Sequence, residues 1–249
     1  MEVERKMFQS VLLALIIGYF GCLCDELPSF IHVCHKEDPQ LEQCLMASVE
    51  DIRPFLVDGV PEYNLPQMEP LIIKDLFSEE TAGMKITVSN VSAWGCTDFF
   101  VRNIEVNLDT NEFVLYVDLP KLRIEAHYSV DGKLVLVPVK GDGNLEANIT
   151  DAHAKAMLKG DLYEKDGDEY LKYNTFDLHV EVGGGSVRLE NLFNGDKILL
   201  GMINDVVNKN FDAFVKELMP VIEKGLACKF KETANAIVES FTYKQLFPH

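Results

Sequence analysis

Six histidines are the residues best suited to acid–base or metal chemistry in this chain of 249 residues, and they are scattered along it: His32, His35, His127, His153, His179 and His249. No two of them stand at zinc-site spacing, and a Gly-x-Ser-x-Gly nucleophile elbow is absent from the sequence. The run Gly183-Gly184-Gly185-Ser186 lacks the lysine of a phosphate loop and therefore predicts a bent strand end. The sequence predicts no catalytic residue, no cofactor and no metal site. A hydrolase is an alternative that would need a nucleophile outside these motifs.

An apolar run at residues 11–23 follows two basic side chains near the N-terminus. The run is too short to span a bilayer comfortably, and Cys22 and Cys24 are small enough for the −3 and −1 positions of a cleavage site. We therefore expect a signal peptide at residues 1–24 and a secreted, extracellular protein comprising residues 25–249. A short membrane anchor is the alternative interpretation.

The net charge of −17 limits the partners of the chain. Removing residues 1–24 takes away two acidic and two basic side chains and leaves this charge unchanged. Because like charges repel, nucleic acid and anionic membrane surfaces are not expected partners. No segment after the leader reaches the length of uninterrupted apolar residues that a transmembrane helix needs, so stable membrane insertion is not expected. The sequence does not identify a receptor or protein partner.

Cleavage would leave four cysteines, Cys34, Cys44, Cys96 and Cys228, which allow three pairings. The pair Cys34–Cys44 is the local choice, and this disulfide would contribute about 2–3 kcal/mol by restricting the unfolded chain. Cys96 and Cys228 either join the sheet to the C-terminal helix or remain buried free thiols, and free thiols are favoured. A Cys-Cys-His metal site at Cys34-His35 is a third possibility, although no second ligand pair with zinc spacing follows.

Two glycosylation sequons begin at Asn90 and Asn148. Asn148 has the opposite strand parity to Ala147 and Ile149, so we expect its side chain to face water. Both asparagines are predicted glycosylation sites in a secreted chain, and an unmodified polar residue is the alternative at each.

The central 120 residues alternate between apolar and polar side chains, which predicts an antiparallel sheet with one wet face. The clearest runs are 84–89, 121–128 and 175–182. Hairpin turns are predicted at Asp131-Gly132 and Asp166-Gly167, with looser turns at 109–111 and 141–143. An N-terminal helix is predicted from about Pro39 to Val57 behind Asp38.

From Asp196 to Phe247 apolar residues repeat at steps of three or four, which predicts one long helix that bends at Pro220 without ending there. At about 1.5 Å per residue this helix would be roughly 70 Å long. A single domain can cover such a helix only by laying a sheet along it. A curved sheet around an apolar rod tends to leave an elongated apolar cavity, and this geometry suggests a carrier for a hydrophobic molecule.

The residues expected to line this cavity are apolar or aromatic and lie on the predicted inner faces: Trp94, Phe113, Leu115, Tyr128, Phe176, Leu178, Met202, Val206, Phe214 and Leu218. Tyr128 shares the apolar parity of its strand but carries a hydroxyl that could orient a polar end of a ligand. The alternative role for Tyr128 is a core tyrosine bonded to backbone.

Four stretches of the chain resemble the insect juvenile-hormone-binding and takeout-like family. They are the Cys34–Cys44 region with Arg53-Pro54-Phe55-Leu56, then Asp58-Gly59-Val60-Pro61 leading to Glu69-Pro70-Leu71, then Asp131-Gly132-Lys133-Leu134 with Val137 to Gly143, and last Leu189-Glu190-Asn191-Leu192-Phe193 with the C-terminal helix. The resemblance implies a single α+β domain of the tubular lipid-binding type, in which a strongly curved antiparallel β-sheet wraps a long C-terminal helix around a ligand tunnel. It also implies an N-terminal disulfide that matches Cys34–Cys44.

The function implied by the resemblance is non-catalytic. Members of the family are secreted and bind small hydrophobic molecules such as juvenile-hormone-like terpenoids or fatty-acid-like lipids. The sequence therefore favours a secreted carrier of a small hydrophobic ligand in an apolar tunnel. A secreted signalling or interaction protein, with a packed core and no tunnel, is the alternative.

Overall fold

The computed structural model describes residues 27–81, 84–134 and 137–249. The chain divides into two units, Met1–Ile31 and His32–His249. Only residues 27–31 of the first unit are described, and there the Ile31 amide donates to the Pro28 carbonyl at 2.9 Å. The predicted signal peptide lies outside the described residues.

The described residues of the second unit form an α+β fold with helices at both ends of the chain and strands between them. The helices are α1 (Leu41–Leu56), α2 (Lys197–Lys209), α3 (Phe211–Val238) and α4 (Tyr243–Leu246). The strands are β1 (Leu71–Thr81), β2 (Met84–Trp94), β3 (Phe100–Asn107), β4 (Glu112–Leu134), β5 (Val137–Lys165) and β6 (Asp168–Leu189). Among the helices in the described ranges, none combines the length and apolar character needed to cross a membrane.

The strands form one antiparallel sheet in the order β1-β2-β4-β5-β6, as the alternating sequence predicted. Strand β3 pairs with the N-terminal part of β4, and β2 pairs with the C-terminal part. The turns predicted at 109–111 and at Asp166-Gly167 connect strands as expected.

The turns predicted at Asp131-Gly132 and at 141–143 are wrong, because the first stretch lies inside β4 and the second inside β5, and these two strands pair through both stretches. Asp131 pairs with Lys140, and Val130 pairs with Gly141. A turn signal is local, and here the pairing of β4 with β5 continues to Leu134 and Val137 and overrides it.

The sheet is interrupted along one line that crosses its three longest strands. Pro120 in β4 lies opposite Asp151 in β5, which lies opposite Gly183 in β6. Proline has no amide to donate, and Asp151 has a φ of 52°. A Cβ at Gly183 would lie 2.8 Å from the Asp151 Cβ, so only glycine fits there. We call Pro120, Asp151 and Gly183 the crease. The strand end predicted at residues 183–186 is wrong, because β6 continues to Leu189 and pairs with β5 up to that residue.

The crease also shifts which residues face the helices. Before the crease, the residues of β4 that face the core are odd-numbered, such as Phe113 and Leu115. After the crease they are even-numbered, such as Ile124 and Tyr128. Strand β5 changes parity in the same way, with Ala147 on one side and Leu158 on the other. The sheet therefore keeps one apolar concave face across its bend.

The C-terminal segment is not one continuous helix from Asp196 to Phe247, as the apolar period predicted, but three helices. Asn210 ends α2, because its side-chain amide donates to the Val206 carbonyl at 2.8 Å and competes with the helical hydrogen bonds. Thr242 and Gln245 form a capping box that starts α4. Helix α3 has 28 residues, continues through Pro220 and is the long C-terminal helix of the fold.

Helix α3 contacts β1 and β6, which are two of the three strands with an unpaired edge; the third is β3. At β1, a Cβ on Gly225 would lie 2.9 Å from the Leu76 carbonyl oxygen, so the two backbones approach closely. The Lys224 ammonium pairs with the Glu79 carboxylate at 2.5 Å. At β6, the Glu223 carboxylate accepts the Val180 amide at 2.7 Å. Helix α3 therefore bridges the sheet from the β1 edge to the β6 edge.

Three asparagine side chains complete the backbone hydrogen bonding of β6. Each amide both accepts from the N–H and donates to the C=O of a single β6 residue. The pairs are Asn204 with Leu189 (2.8 and 2.9 Å), Asn208 with Val187 (2.9 and 2.7 Å) and Asn235 with Tyr173 (2.7 and 3.0 Å). These asparagine clamps take the place of a further strand at an edge that would otherwise expose unpaired backbone groups.

Two clusters of buried residues close the concave face at its two ends. The first joins α2 and the start of α3 to the sheet and contains Tyr128, Val130, Ala147, Val187, Leu189, Leu192, Ile203, Val207 and Phe211. The second joins α4 to the sheet and contains Phe113, Leu171, Tyr173, Tyr243 and Phe247. A smaller cluster of Ile73, Val91 and Ala126 lies beneath Leu226 of α3.

Cys34 and Cys44 form a disulfide, as predicted, which removes both from metal coordination. Cys96 and Cys228 are free thiols, so they do not join the sheet to the helix. Cys96 is buried as expected, and burial, with the nearby Glu69 carboxylate, raises its pKa to about 12. Cys228 is exposed, contrary to expectation.

The asparagine clamps predict a specific loss of stability. Replacing Asn235 by alanine leaves the amide and carbonyl of Tyr173 without this partner, and we expect the free energy of unfolding to fall by about 1–3 kcal/mol. Urea denaturation followed by circular dichroism measures the change. Asn103→Ala is the matched control, because its amide reaches only the exposed Glu105 side chain at 3.4 Å. Equal stability of the two variants would show that the Asn235 clamp is unimportant.

The disulfide predicts a second measurable difference. The double variant Cys34→Ser/Cys44→Ser should lose about 2–3 kcal/mol of unfolding free energy, because the bridge closes a short loop in the unfolded chain. Cys228→Ser should be unchanged within about 0.5 kcal/mol, since this thiol is exposed. A loss of the same size in Cys228→Ser would contradict the assignment.

Candidate ligand-binding site

The concave face of the sheet is buried at its ends but only half-buried in its middle. Two adjacent rows cross β4, β5 and β6 there in register. One row is Val117, Ala154 and Val180, and the other is Leu115, Ala156 and Leu178. All six side chains are half-buried. We call these six residues the middle rows.

Each row beside the middle rows contains one buried residue, whereas its other two members are half-buried. On one side Ala152 is 2% exposed, and on the other Phe113 is 7% exposed. Apolar side chains in the middle of a sheet are usually the most deeply buried, because the packing layer above covers them best. The middle rows therefore keep accessible apolar surface where a sheet is usually well covered.

Helix α3 lies along this part of the sheet. Its Glu223 carboxylate is bonded to the amide of Val180, which belongs to the middle rows. The ring of Phe230 packs on that of Phe176 with 6.1 Å between centroids. Phe214 and Leu218 pack against the first buried cluster, toward one end. Helix α3 therefore lies along the β6 side of the middle rows, and one buried cluster lies beyond each of their two ends.

The structure brings together several of the predicted lining residues. Leu115 and Leu178 belong to the middle rows themselves. Phe113 and Phe176 form the next row with Leu158, and Phe214 and Leu218 approach from α3.

Three other predicted lining residues lie elsewhere. Met202 and Val206 are 62% and 50% exposed, on a different face of α2 from the buried Ile203 and Val207. Both faces of α2 are apolar, so periodicity alone could not tell which one is covered. Trp94 is half-buried at the end of β2, where the Arg123 guanidinium lies 5.1 Å from its ring centroid.

Tyr128 has the environment of a core tyrosine, the alternative role considered from its sequence. It is 3% exposed, and its hydroxyl donates to the Glu190 carbonyl at 2.7 Å. Burial raises its pKa to about 12, and the carboxylates of Asp142 and Glu190 act in the same direction. The hydroxyl donor that was expected to orient a ligand is therefore already used by the backbone.

Sequence reasoning missed Val117, Ala154, Ala156 and Val180. Val180 lies in a strand that the alternation identified, but the selection favoured aromatic and large aliphatic side chains. Alanine carries little signal by itself. The usable signal was the spacing of Ala152, Ala154 and Ala156, which places three small residues on one face of a strand.

Both predicted sequon asparagines are exposed. Asn90 has a φ of 49° at an irregularity in the β2–β4 register. Asn148 faces solvent, as its parity predicted, and borders a cavity of about 490 Å³ whose lining includes Arg188 and the clamp residues Asn204 and Asn208. This polar lining is unsuited to an apolar ligand.

A second cavity, of about 330 Å³, lies where α4 meets the hairpin between β5 and β6. Its lining includes Lys36, Asp168, Glu169 and Lys244. Charges of both signs border it, so it too is unsuited to an apolar ligand.

Known proteins share this architecture. The crystal structure of Takeout 1 from Epiphyas postvittana superposes with a TM-score of 0.76 at 18% identity, covering 88% of this chain and 100% of that one. This likeness shows a common fold.

Sequence relatives cover most of the chain. It is 24% identical over 249 residues to the circadian clock-controlled protein daywake of Drosophila melanogaster, with 93% of this chain and 94% of the relative covered. It is 20% identical over 220 residues to a Schistocerca gregaria protein named "Putative beta-carotene-binding protein", with 88% of each covered. Residues 10–248 match the model of the haemolymph juvenile hormone binding protein family. Because that match spans nearly the whole sequence, the chain belongs to the haemolymph juvenile hormone binding protein family.

Proposed function

We propose that this protein is a secreted carrier that holds a small hydrophobic ligand between the concave face of its sheet and helix α3. The observation that carries the proposal is the half-burial of the apolar middle rows between two buried clusters. The ligand classes that fit are juvenile-hormone-like terpenoids and fatty-acid-like lipids. Family membership and the relative named for β-carotene binding support an apolar ligand.

Apolar burial alone is sufficient for useful affinity. A ligand that buries about 400 Å² of apolar surface gains roughly 10 kcal/mol at about 25 cal/mol per Å². Immobilising the ligand costs at least about 4 kcal/mol and micromolar binding needs about 8 kcal/mol, so burial of about 500 Å² of apolar surface is enough for micromolar affinity. A polar anchor such as the Tyr128 hydroxyl is therefore not required.

Three features support secretion as part of this proposal. The apolar run at 11–23 has the pattern of a leader. The Cys34–Cys44 disulfide is typical of an oxidising compartment. The exposed Asn90 and Asn148 are accessible to glycosylation, and we propose that both are modified. The net charge of −17 keeps a lipid carrier dispersed in water.

Ligand binding can be tested with farnesol and hexadecanol as probes. Native mass spectrometry should show one molecule bound to the wild-type protein. Leu178→Gln places an amide among the middle rows, and we expect its affinity to fall about 10- to 100-fold, because apolar contact is lost and a polar group is desolvated. Met202→Gln is the control and should bind as the wild type does, since Met202 is 62% exposed. If the wild type bound neither probe, the interaction-protein alternative would be favoured.

Tyr128→Phe separates stability from ligand binding. We expect unchanged affinity for hexadecanol and a loss of about 1 kcal/mol of stability at neutral pH, because only an internal hydrogen bond disappears. The folded protein holds the Tyr128 proton up to a pKa of about 12, whereas an unfolded tyrosine loses it near pH 10. Wild-type stability should therefore fall as pH rises from about 10 to 12, and the variant should lose less over that interval. A tenfold loss of hexadecanol affinity would instead make Tyr128 a ligand anchor.

A further inference from the structure

We propose that the first sugars of an N-glycan on Asn148 dock in the polar cavity beside that residue, between helix α2 and the outer face of the sheet. This inference rests on the glycosylation of Asn148 that belongs to the proposed function. It assigns the cavity a neutral ligand of the N-acetylglucosamine type, which the protein itself carries.

The cavity lies directly beside the attachment point of the glycan. Asn148 is one of its lining residues, and its volume of about 490 Å³ is within the range of about 300–1,000 Å³ typical of small-molecule sites. Asn148 of β5 and Ser186 of β6 are exposed on the outer face of the sheet. Asn204 and Asn208 line the cavity from α2. A sugar in this position would contact the sheet and the helix at once.

The side chains around Asn148 leave room for a glycan on the β6 side. There Asn148 pairs with Ser186, which is small. The next outward position of β6 is Gly184, where a Cβ would come within 4 Å only of the Thr150 hydroxyl oxygen. On the β4 side Asn148 pairs with Arg123, which has a long side chain. The more open side of Asn148 is therefore the side that leads to α2 and the cavity.

The clamp amides can accept hydrogen bonds from a sugar. The amide nitrogen of Asn208 already donates to the Val187 and Asn204 carbonyls, and its oxygen accepts the Val187 amide. An amide oxygen has two lone pairs, so the Asn208 oxygen can accept one further hydrogen bond. The same holds for Asn204, whose nitrogen donates to two carbonyls and whose oxygen accepts the Leu189 amide.

The remaining polar groups of the cavity favour a neutral ligand. Arg188 provides guanidinium donors, Glu146 provides a carboxylate acceptor, and the Ser186 hydroxyl can do both. Because charges of both signs border the cavity, neither a free anion nor a free cation is favoured. The hydroxyl and acetamide groups of N-acetylglucosamine donate and accept hydrogen bonds, so they can use both kinds of partner.

Covalent attachment makes weak contacts sufficient. A ligand on a short tether reaches an effective concentration in the millimolar range at a neighbouring site. Contacts too weak to capture a free sugar from solution are therefore populated when the sugar is attached to Asn148. The docked sugar would also cover Asn204 and Asn208, which limits the access of water to their hydrogen bonds with β6.

The test measures how fast peptide N-glycosidase releases the glycans from the folded protein secreted by human cells. The enzyme must reach the bond between the first sugar and the asparagine, so docking slows release. Peptide mass mapping distinguishes Asn148 from Asn90, which is exposed and does not line this cavity. We expect release from folded wild type to be at least fivefold slower at Asn148 than at Asn90, and the two rates to be equal in the reduced, unfolded chain.

Variants at the cavity wall provide a second test. Ser186→Tyr fills the cavity and should speed release at Asn148 at least threefold. Asp177→Tyr is the matched control, because it adds the same ring to an exposed position of β6 outside the cavity lining, and it should release the Asn148 glycan at the wild-type rate. If Ser186→Tyr is not secreted, Ser186→Val adds less volume and should still speed release at least twofold.

The possible failures are distinguishable. Equally fast release at Asn148 and Asn90 in folded wild type, or an unchanged rate in a secreted Ser186 variant, would overturn the docking inference alone. A secreted protein without a glycan on Asn148 would overturn both the docking inference and the proposed modification. The binding of hexadecanol, measured separately, decides the carrier function.

Discussion

The fold depends on helix α3 lying across the β1 and β6 edges of a curved sheet. An edge strand exposes unpaired amides and carbonyls that attract other chains. On β6 these groups are paired by Asn204 and Asn208 of α2 and by Asn235 of α3, each of which provides both a donor and an acceptor. On β1, Gly225 lets the backbone of α3 approach the Leu76 carbonyl. The sheet is thus closed by a helix, which satisfies edge groups without adding another strand.

This way of closing a sheet separates stability from binding. The asparagine clamps and the buried clusters hold the helices at the two ends of the concave face, where Phe211 and Phe247 are buried. The middle rows between them need not be packed for the edges to be satisfied. A space for an apolar guest can therefore exist without an exposed strand edge on β6. The cost is the apolar contact that these residues would otherwise make with the protein.

The sequence predicted those features that depend on a regular period. Alternation identified the strands and their concave faces, and the local pair Cys34–Cys44 was identified from spacing. Features decided by one polar residue were not predicted. The apolar period runs through Asn210, so the break between α2 and α3 was missed, although the amide of Asn210 competes for the Val206 carbonyl. The Asp131-Gly132 signal was overridden by strand pairing.

The candidate site combines residues that the sequence singled out with residues that it did not, for a related reason. Large apolar residues such as Leu115 and Leu178 stand out in a sequence, whereas Ala154 and Ala156, which lie in register with neighbouring apolar residues, carry little signal. Asn204 and Asn208, four residues apart on one helix face, were a readable sign of a polar role beside apolar neighbours. Their partners on β6 are backbone groups, which carry no residue-specific signal.

The crease at Pro120, Asp151 and Gly183 constrains how the chain can change in length. At the crease, neighbouring strands all switch between odd-numbered and even-numbered inward-facing residues. Each strand therefore points its apolar side chains toward the concave face both before and after the crease. An insertion or deletion of one residue in a single strand near this line would turn that strand's apolar side chains outward on one side only. Length variation is therefore expected to concentrate in the hairpin ends, such as Asp166-Gly167, while the spacing between the crease and the buried clusters stays fixed.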